Sequence, residues 1–509
     1  MKVQLIYPDF LSKILDWKGH FYVGLGSLSA TMKRAGHDTS LIHITNSHYT
    51  KQDFLRDISK SNPDLIGFSS TTIVFPFVKR ILQWMEEEGI DTPTICGGVH
   101  PTVASEDAMS PKRMDMICIG EGEETILELL DRMKTGDPSR DMPGLWYKRE
   151  GDRKIIRGPL RPNIEDLDSL PDPDRDLFDM ESCYWERQGI LVVMASRGCP
   201  YPCTYCVNHT LMDMFGAKDF VRYRSVDRVI NEINTARERW PHINGCFFDD
   251  DILFIKLPWS EEFAERYAKE CNLPYRCNVR PRLLDERRAA LLKKSNCASV
   301  KIGVESGNDF IRNQVLKRGL KHEDMLESFE VCHKYGFEIV SFNMVGLPFE
   351  TPQTCLETVK MNAEGNVHEM QVSIFYPFPA TESYEICRKN GWLAGEAKYV
   401  EDYFTDSVLN LPTIEREHIV FFRNNFKRLV RTYRLIWKLP TGIREPVERL
   451  FEQTVTRPEI RYVYDIAGTA WAGIKKGIQT IRPAKPVLEG AAGPVLKGHT
   501  PTTSPMQFH

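Results

Sequence analysis

No apolar run in the 509 residues approaches the roughly 18–20 residues that a membrane span needs. An excess of one charge is missing too. Lys and Arg number 66 against 70 Asp and Glu, a net charge of −4, so there is no overall pull toward nucleic acid or an anionic membrane. The opening stretch Met1-Lys2-Val3-Gln4-Leu5-Ile6-Tyr7-Pro8 is broken by proline too soon for the core of a secretory signal. Thirteen cysteines, mostly scattered, do not form a disulfide framework and read as reduced thiols. These absences lead to the expectation of a cytoplasmic protein with neither a transmembrane segment nor a nucleic-acid partner. With 42% apolar and 27% charged residues, the chain has an ordinary globular composition and length enough for two or three domains.

Against this background one stretch stands out, Ser196-Arg197-Gly198-Cys199-Pro200-Tyr201-Pro202-Cys203-Thr204-Tyr205-Cys206. Its thiols are spaced Cys-x3-Cys-x2-Cys, directly after the apolar run Gly189 to Ala195 that reads as a buried strand. Clustered thiolates suit a soft metal or an iron–sulfur cluster. A closed zinc site wants four ligands, usually as two paired half-sites, and no second Cys-x2-Cys or His pair is present. Three thiols would leave one iron of a cubane open to a small molecule.

Strand and helix patterns alternate over 1–145, as in a parallel sheet covered on both faces. Residues 146–188, with Leu170-Pro171-Asp172-Pro173-Asp174, read as an extended linker. Six further strand–helix units over 189–397 predict a partial parallel barrel with its chemistry at the strands' carboxyl ends. A small helical domain is expected over 398–478 and a disordered tail over 479–509.

In the first sheet the loops after the third, fourth and fifth strands are Ser69-Ser70-Thr71-Thr72, Gly97-Gly98-Val99-His100-Pro101 and Gly120-Glu121-Gly122-Glu123. In that order they resemble the cobalamin-binding, flavodoxin-like domain that precedes many radical S-adenosylmethionine enzymes. The resemblance implies cobalamin contacts from Ser69, Ser70, Thr71, Gly97, Gly98, His100, Gly120 and Glu121. For His100, a loop-ordering hydrogen bond is the simpler role. The Asp-x-His-x-x-Gly motif that supplies an axial histidine elsewhere is absent after the first strand, where Pro8-Asp9-Phe10-Leu11-Ser12-Lys13 stands.

The cysteine loop is likewise similar to the defining motif of the radical S-adenosylmethionine superfamily. That resemblance implies a [4Fe–4S] cluster on Cys199, Cys203 and Cys206, with S-adenosylmethionine on the open iron and cobalamin as a methyl carrier. It places S-adenosylmethionine contacts at Tyr205, Asp250 (one of three acids closing the second barrel strand), Arg280, Glu305, Ser306 and Gly346, and leaves catalytic residues unassigned. A small-molecule substrate and a low-potential electron donor such as flavodoxin or ferredoxin complete the expectation. The activity implied is methylation of an unactivated carbon of a secondary metabolite, lipid or tetrapyrrole. Ring closure or oxidation without methyl transfer, and a non-catalytic cobalamin sensor, are the alternatives.

Overall fold

The computed structural model describes residues 1–9, 18–46, 48–136, 141–216, 218, 220–394 and 406–459. The expected tail over 479–509 and the expected boundary at 397/398 lie outside them. An N-terminal sheet is built from β1 (Lys2–Pro8), β2 (Asp38–Ile44), β3 (Leu65–Ser69), β4 (Thr94–Gly97), β5 (Met116–Cys118), β6 (Leu145–Lys148) and β7 (Ile155–Arg157). Its order is β2-β1-β3-β4-β5-β6-β7, parallel as far as β5 and antiparallel beyond. Helices cover both faces, which is why β1 and β3 are buried along nearly their whole length rather than alternating. The strand order reverses between β1 and β3, the switch point where such sheets bind ligands.

A second sheet follows. It comprises β8 (Ile190–Val193), a two-stranded antiparallel ribbon of β9 (Ser196–Arg197) and β10 (Arg222–Tyr223), then β11 (Gly245–Phe248), β12 (Tyr275–Val279), β13 (Cys297–Glu305), β14 (Glu338–Val345) and β15 (Glu369–Ile374). The ribbon apart, the order is β15-β14-β13-β12-β11-β8 with every pairing parallel, the expected six-stranded half-barrel. Alternation assigns the faces. Val300, Ile302 and Val304 point into the helical layer and are fully buried. Lys301 and Glu305, out of step with them, face the lumen.

Two stretches are more integrated than their patterns suggest. Residues 146–188, expected as a linker, contain nearly all of β6 and all of β7, because short apolar segments separated by a tight turn suffice to extend a sheet edge. In the C-terminal part, helix Arg416–Ile436 buries Phe422, Phe426 and Tyr433 within the same apolar core as the half-barrel. Among the described residues no helix is long and apolar enough to cross a membrane.

Candidate active site

The three thiols sit on the loop between β9 and helix Val207–Phe215. Cys203 is 6% exposed, whereas Cys199 and Cys206 are half-buried. Gly198 (φ +95°) is required here, since a Cβ would come within 2.4 Å of the Phe220 carbonyl oxygen. The loop is pinned from across the barrel. Thr204 donates its amide to the Leu316 carbonyl (3.2 Å) and its hydroxyl to the Val315 carbonyl (2.7 Å). Arg280 lies over the Tyr201 ring, 3.8 Å from its centroid, and brings Nη1 to 3.8 Å from the Cys203 sulfur. Arg318, which no sequence pattern marks, donates to the Tyr205 hydroxyl (2.5 Å) and the Gly303 carbonyl (2.6 Å) and lies 3.4 Å from the Glu305 carboxylate. Burial outweighs Arg318 and raises the Glu305 carboxyl, and Glu305 has left-handed backbone (φ 62°), a strain typical of functional sites. Among the described residues no three His, Cys, Asp or Glu side chains converge as one metal ion would require.

Two cavities adjoin this loop. The larger, about 320 Å³, is walled by Ser69, Gly97, Gly98, Gly120 and Glu121 of the first sheet and by Gly198, Asn208 and Phe220 of the second. It continues as an apolar slot along Leu28, Met32, Ile126 and the β1 residues Val3 and Leu5. The smaller cavity, about 70 Å³, lies between Asp9, Thr71 and Thr72 on one side and Tyr205, Cys206, Met344, Ser373 and Tyr376 on the other. Val99 lines both.

The residues singled out in the sequence divide accordingly. Ser69, Gly97, Gly98, Gly120 and Glu121 border the larger cavity, and Thr71 borders the smaller one. Ser70 and His100 line neither. The Ser70 carbonyl accepts the His100 amide (3.1 Å). The fully buried His100 ring stands against Phe75, with Nδ1 3.2 Å from the Thr72 hydroxyl and Nε2 3.2 Å from Asp107, a loop-ordering position. Asp250 is also turned away from both cavities. Its carboxylate accepts the Ala195 amide (3.1 Å) and the Ser196 hydroxyl (2.5 Å), and burial pushes its carboxyl up to about 6. Its neighbour Asp251 lines the larger cavity and accepts from Asn208 (2.8 Å). Ser306 is fully buried in a turn, its hydroxyl accepting the Asn308 amide at 3.3 Å. Gly346 (φ +81°) packs against helix Arg416–Ile436, where a Cβ would meet Ile419 at 3.0 Å.

The loop after β14 is held by Glu350, fully buried, which accepts the amides of Gly346 (2.5 Å) and Leu347 (3.0 Å). Burial pushes its carboxyl from 4.5 up to about 7 despite those bonds. A raised acid favours the protonated form in the folded chain, so its contribution to stability is complete below the unfolded value. That contribution then declines as pH rises from about 4.5 to 7, by roughly 3 kcal/mol in all. Glu350→Gln should match the wild-type urea midpoint at pH 5 and exceed it at pH 8. An unchanged gap between the two proteins would show that Glu350 ionises as freely folded as unfolded.

Family comparison agrees with this geometry. The Radical SAM superfamily profile matches residues 193–361, and the B12 binding domain profile matches residues 20–130. The chain is a cobalamin-binding radical S-adenosylmethionine protein. A [4Fe–4S] cluster and S-adenosylmethionine go with the first of these domains and cobalamin with the second. An uncharacterized methyltransferase of Pyrococcus horikoshii is 27% identical over 396 residues, 77% of this chain and 84% of that one. The anaerobic magnesium-protoporphyrin IX monomethyl ester cyclase of Rubrivivax gelatinosus is 24% identical over 397 residues, 76% and 70% of the two chains. In fold, the chain resembles the radical S-adenosylmethionine methyltransferase TsrM of Kitasatospora setae, solved with cobalamin and a [4Fe–4S] cluster. The TM-score is 0.62 at 17% identity, over 78% of this chain and 79% of that one.

Proposed function

We propose that this enzyme methylates an unactivated carbon of a small-molecule substrate, a secondary metabolite, lipid or tetrapyrrole. The observation that carries the proposal is the meeting of the two cavities at Val99, one under the glycine loops of the B12-binding domain and the other against Cys206. When bound, the cluster with S-adenosylmethionine supplies hydrogen abstraction and cobalamin supplies the methyl group. Cys199, Cys203 and Cys206 would hold the cluster, and Gly97, Gly98 and Gly120 would let backbone approach the corrin. Arg318, Tyr205 and Glu305 would meet the polar end of S-adenosylmethionine beside the thiols. Apolar Val99, Val103, Val207, Met344 and Ile374 in the smaller cavity would keep water away from the reacting carbon. A flavodoxin or ferredoxin would deliver the electron.

The methyltransferase named among the relatives supports methyl transfer, while the cyclase relative supports ring closure on the same architecture. Comparing metabolites of a deletion strain with its parent should reveal a compound lighter by one methylene unit in the deletion strain. That compound, given to the reconstituted enzyme, should gain the methyl group while S-adenosylhomocysteine and 5′-deoxyadenosine both form. Formation of 5′-deoxyadenosine without S-adenosylhomocysteine would replace methylation by the cyclase-like reading.

A further inference from the structure

Lys301 is a cation placed where a packing residue would be expected. It stands in the middle of β13 on the lumen face of the half-barrel and is only 7% exposed. Long cationic side chains at such positions normally snorkel to water or meet a carboxylate. Among the described residues the Lys301 ammonium makes neither a hydrogen bond nor an ion pair. Its ammonium lies 3.5 Å from the centroid of Phe247, with the Trp185 ring at 5.9 Å and the Phe342 ring at 6.0 Å. Among the charges that act on it are Asp249, which attracts it from the end of β11, and Arg276, which repels it from β12. Aromatic faces return less to a desolvated cation than burial costs it. A methionine would fill the same space without that deficit. Burial accordingly lowers the ammonium to about 7.

Along the lumen face, β14 leads from the level of Lys301 toward the reacting region. Val340 pairs with Lys301 across the sheet, and Phe342 and Met344 follow on the same face of β14. Met344 lines the smaller cavity beside Cys206.

We propose that Lys301 anchors an anionic group of the substrate, a carboxylate or phosphate, while Phe247, Trp185 and Phe342 pack against an adjoining apolar or planar portion. The anion would complete the missing pairing and leave the rest of the molecule directed toward the smaller cavity. This deepens the proposed function and rests on that reading for what the bound molecule undergoes. The binding step is tested separately from the reaction.

The test is calorimetric titration of the full chain with benzoate, phenyl phosphate and neutral benzamide. At least one of the two anions should bind ten-fold or more tightly than benzamide. Lys301→Met should abolish that preference while leaving benzamide binding unchanged, and Lys301→Arg should keep it. Lys301→Gln replaces the methionine variant if the latter does not fold. The proposal is overturned if all three probes bind alike, if none binds, or if the anion preference survives loss of the ammonium. An intact preference in an enzyme that transfers no methyl group would remove the proposed reaction and leave the anion site standing.

Discussion

Cys203→Ala protein, reconstituted anaerobically with iron and sulfide, is expected to stay colourless and hold almost no iron. The wild-type chain should take up about four irons and turn brown. The expectation follows from the number of thiols. Three sulfurs on one loop are the fewest that can grip a cubane and still leave an iron open, and two cannot hold it. Cys203 is the most buried of the three and the one approached by Arg280. Folding should survive, because Thr204 fixes the loop through bonds that do not involve the sulfur. Cys387→Ala, at a fully buried cysteine on helix Glu382–Lys389, is the control and should colour normally. Iron and sulfide assays with a visible spectrum decide the matter. A brown Cys203→Ala protein would remove that thiol from the ligand set, and one colourless metal in the wild type would point to zinc.

The thiol loop was legible because its pattern is local, with three thiols inside eight residues. The two sheets were legible because strand and helix periods alternate plainly. The three acids at the end of β11 show where such reading stops. Period-two alternation sets Asp249 and Asp251 on one face and Asp250 on the other, but Cys246, Phe247 and Phe248 are buried on both faces of the strand. Hydrophobicity therefore gives no sign of which face is the lumen, and the outward Asp250 looks as good a candidate as its neighbours. Arg318 leaves no trace at all, since its partners Tyr205 and Gly303 are brought to it only by closure of the barrel. His100 lies between these cases. Its loop is recognisable, but the direction of its ring depends on Phe75 and Asp107.

Glu121 and Glu123 carry that lesson furthest and lead to the second large effect. In sequence they belong to a glycine-rich loop suited to a cofactor, whereas in the fold their carboxylates clasp the two sheets together. Arg197 on β9 and Arg222 on β10 are paired across the ribbon. Glu121 accepts from Arg197 (3.0 Å) and from both terminal nitrogens of Arg222 (2.9 and 3.0 Å), while Glu123 accepts from Arg197 (2.6 Å) and Ser27 (2.7 Å). Burial works against both acids, but the guanidinium charges prevail and hold each carboxyl below its usual range. Arg197→Met would strand Glu123, 4% exposed, without its counter-ion, and breaking a buried pair from one side costs about 3–5 kcal/mol. Because Arg197 is followed by Gly198 and Cys199, iron uptake should fall with stability. Glu123→Gln alone should cost less, about 1–3 kcal/mol, since an amide oxygen can still accept. The double variant Arg197→Met/Glu123→Gln is expected to be less destabilised than the two singles added together, because the charge stranded by the first change is removed by the second. Urea midpoints of the four proteins measure this coupling. Strict additivity would mean that Arg197 and Glu123 contribute independently.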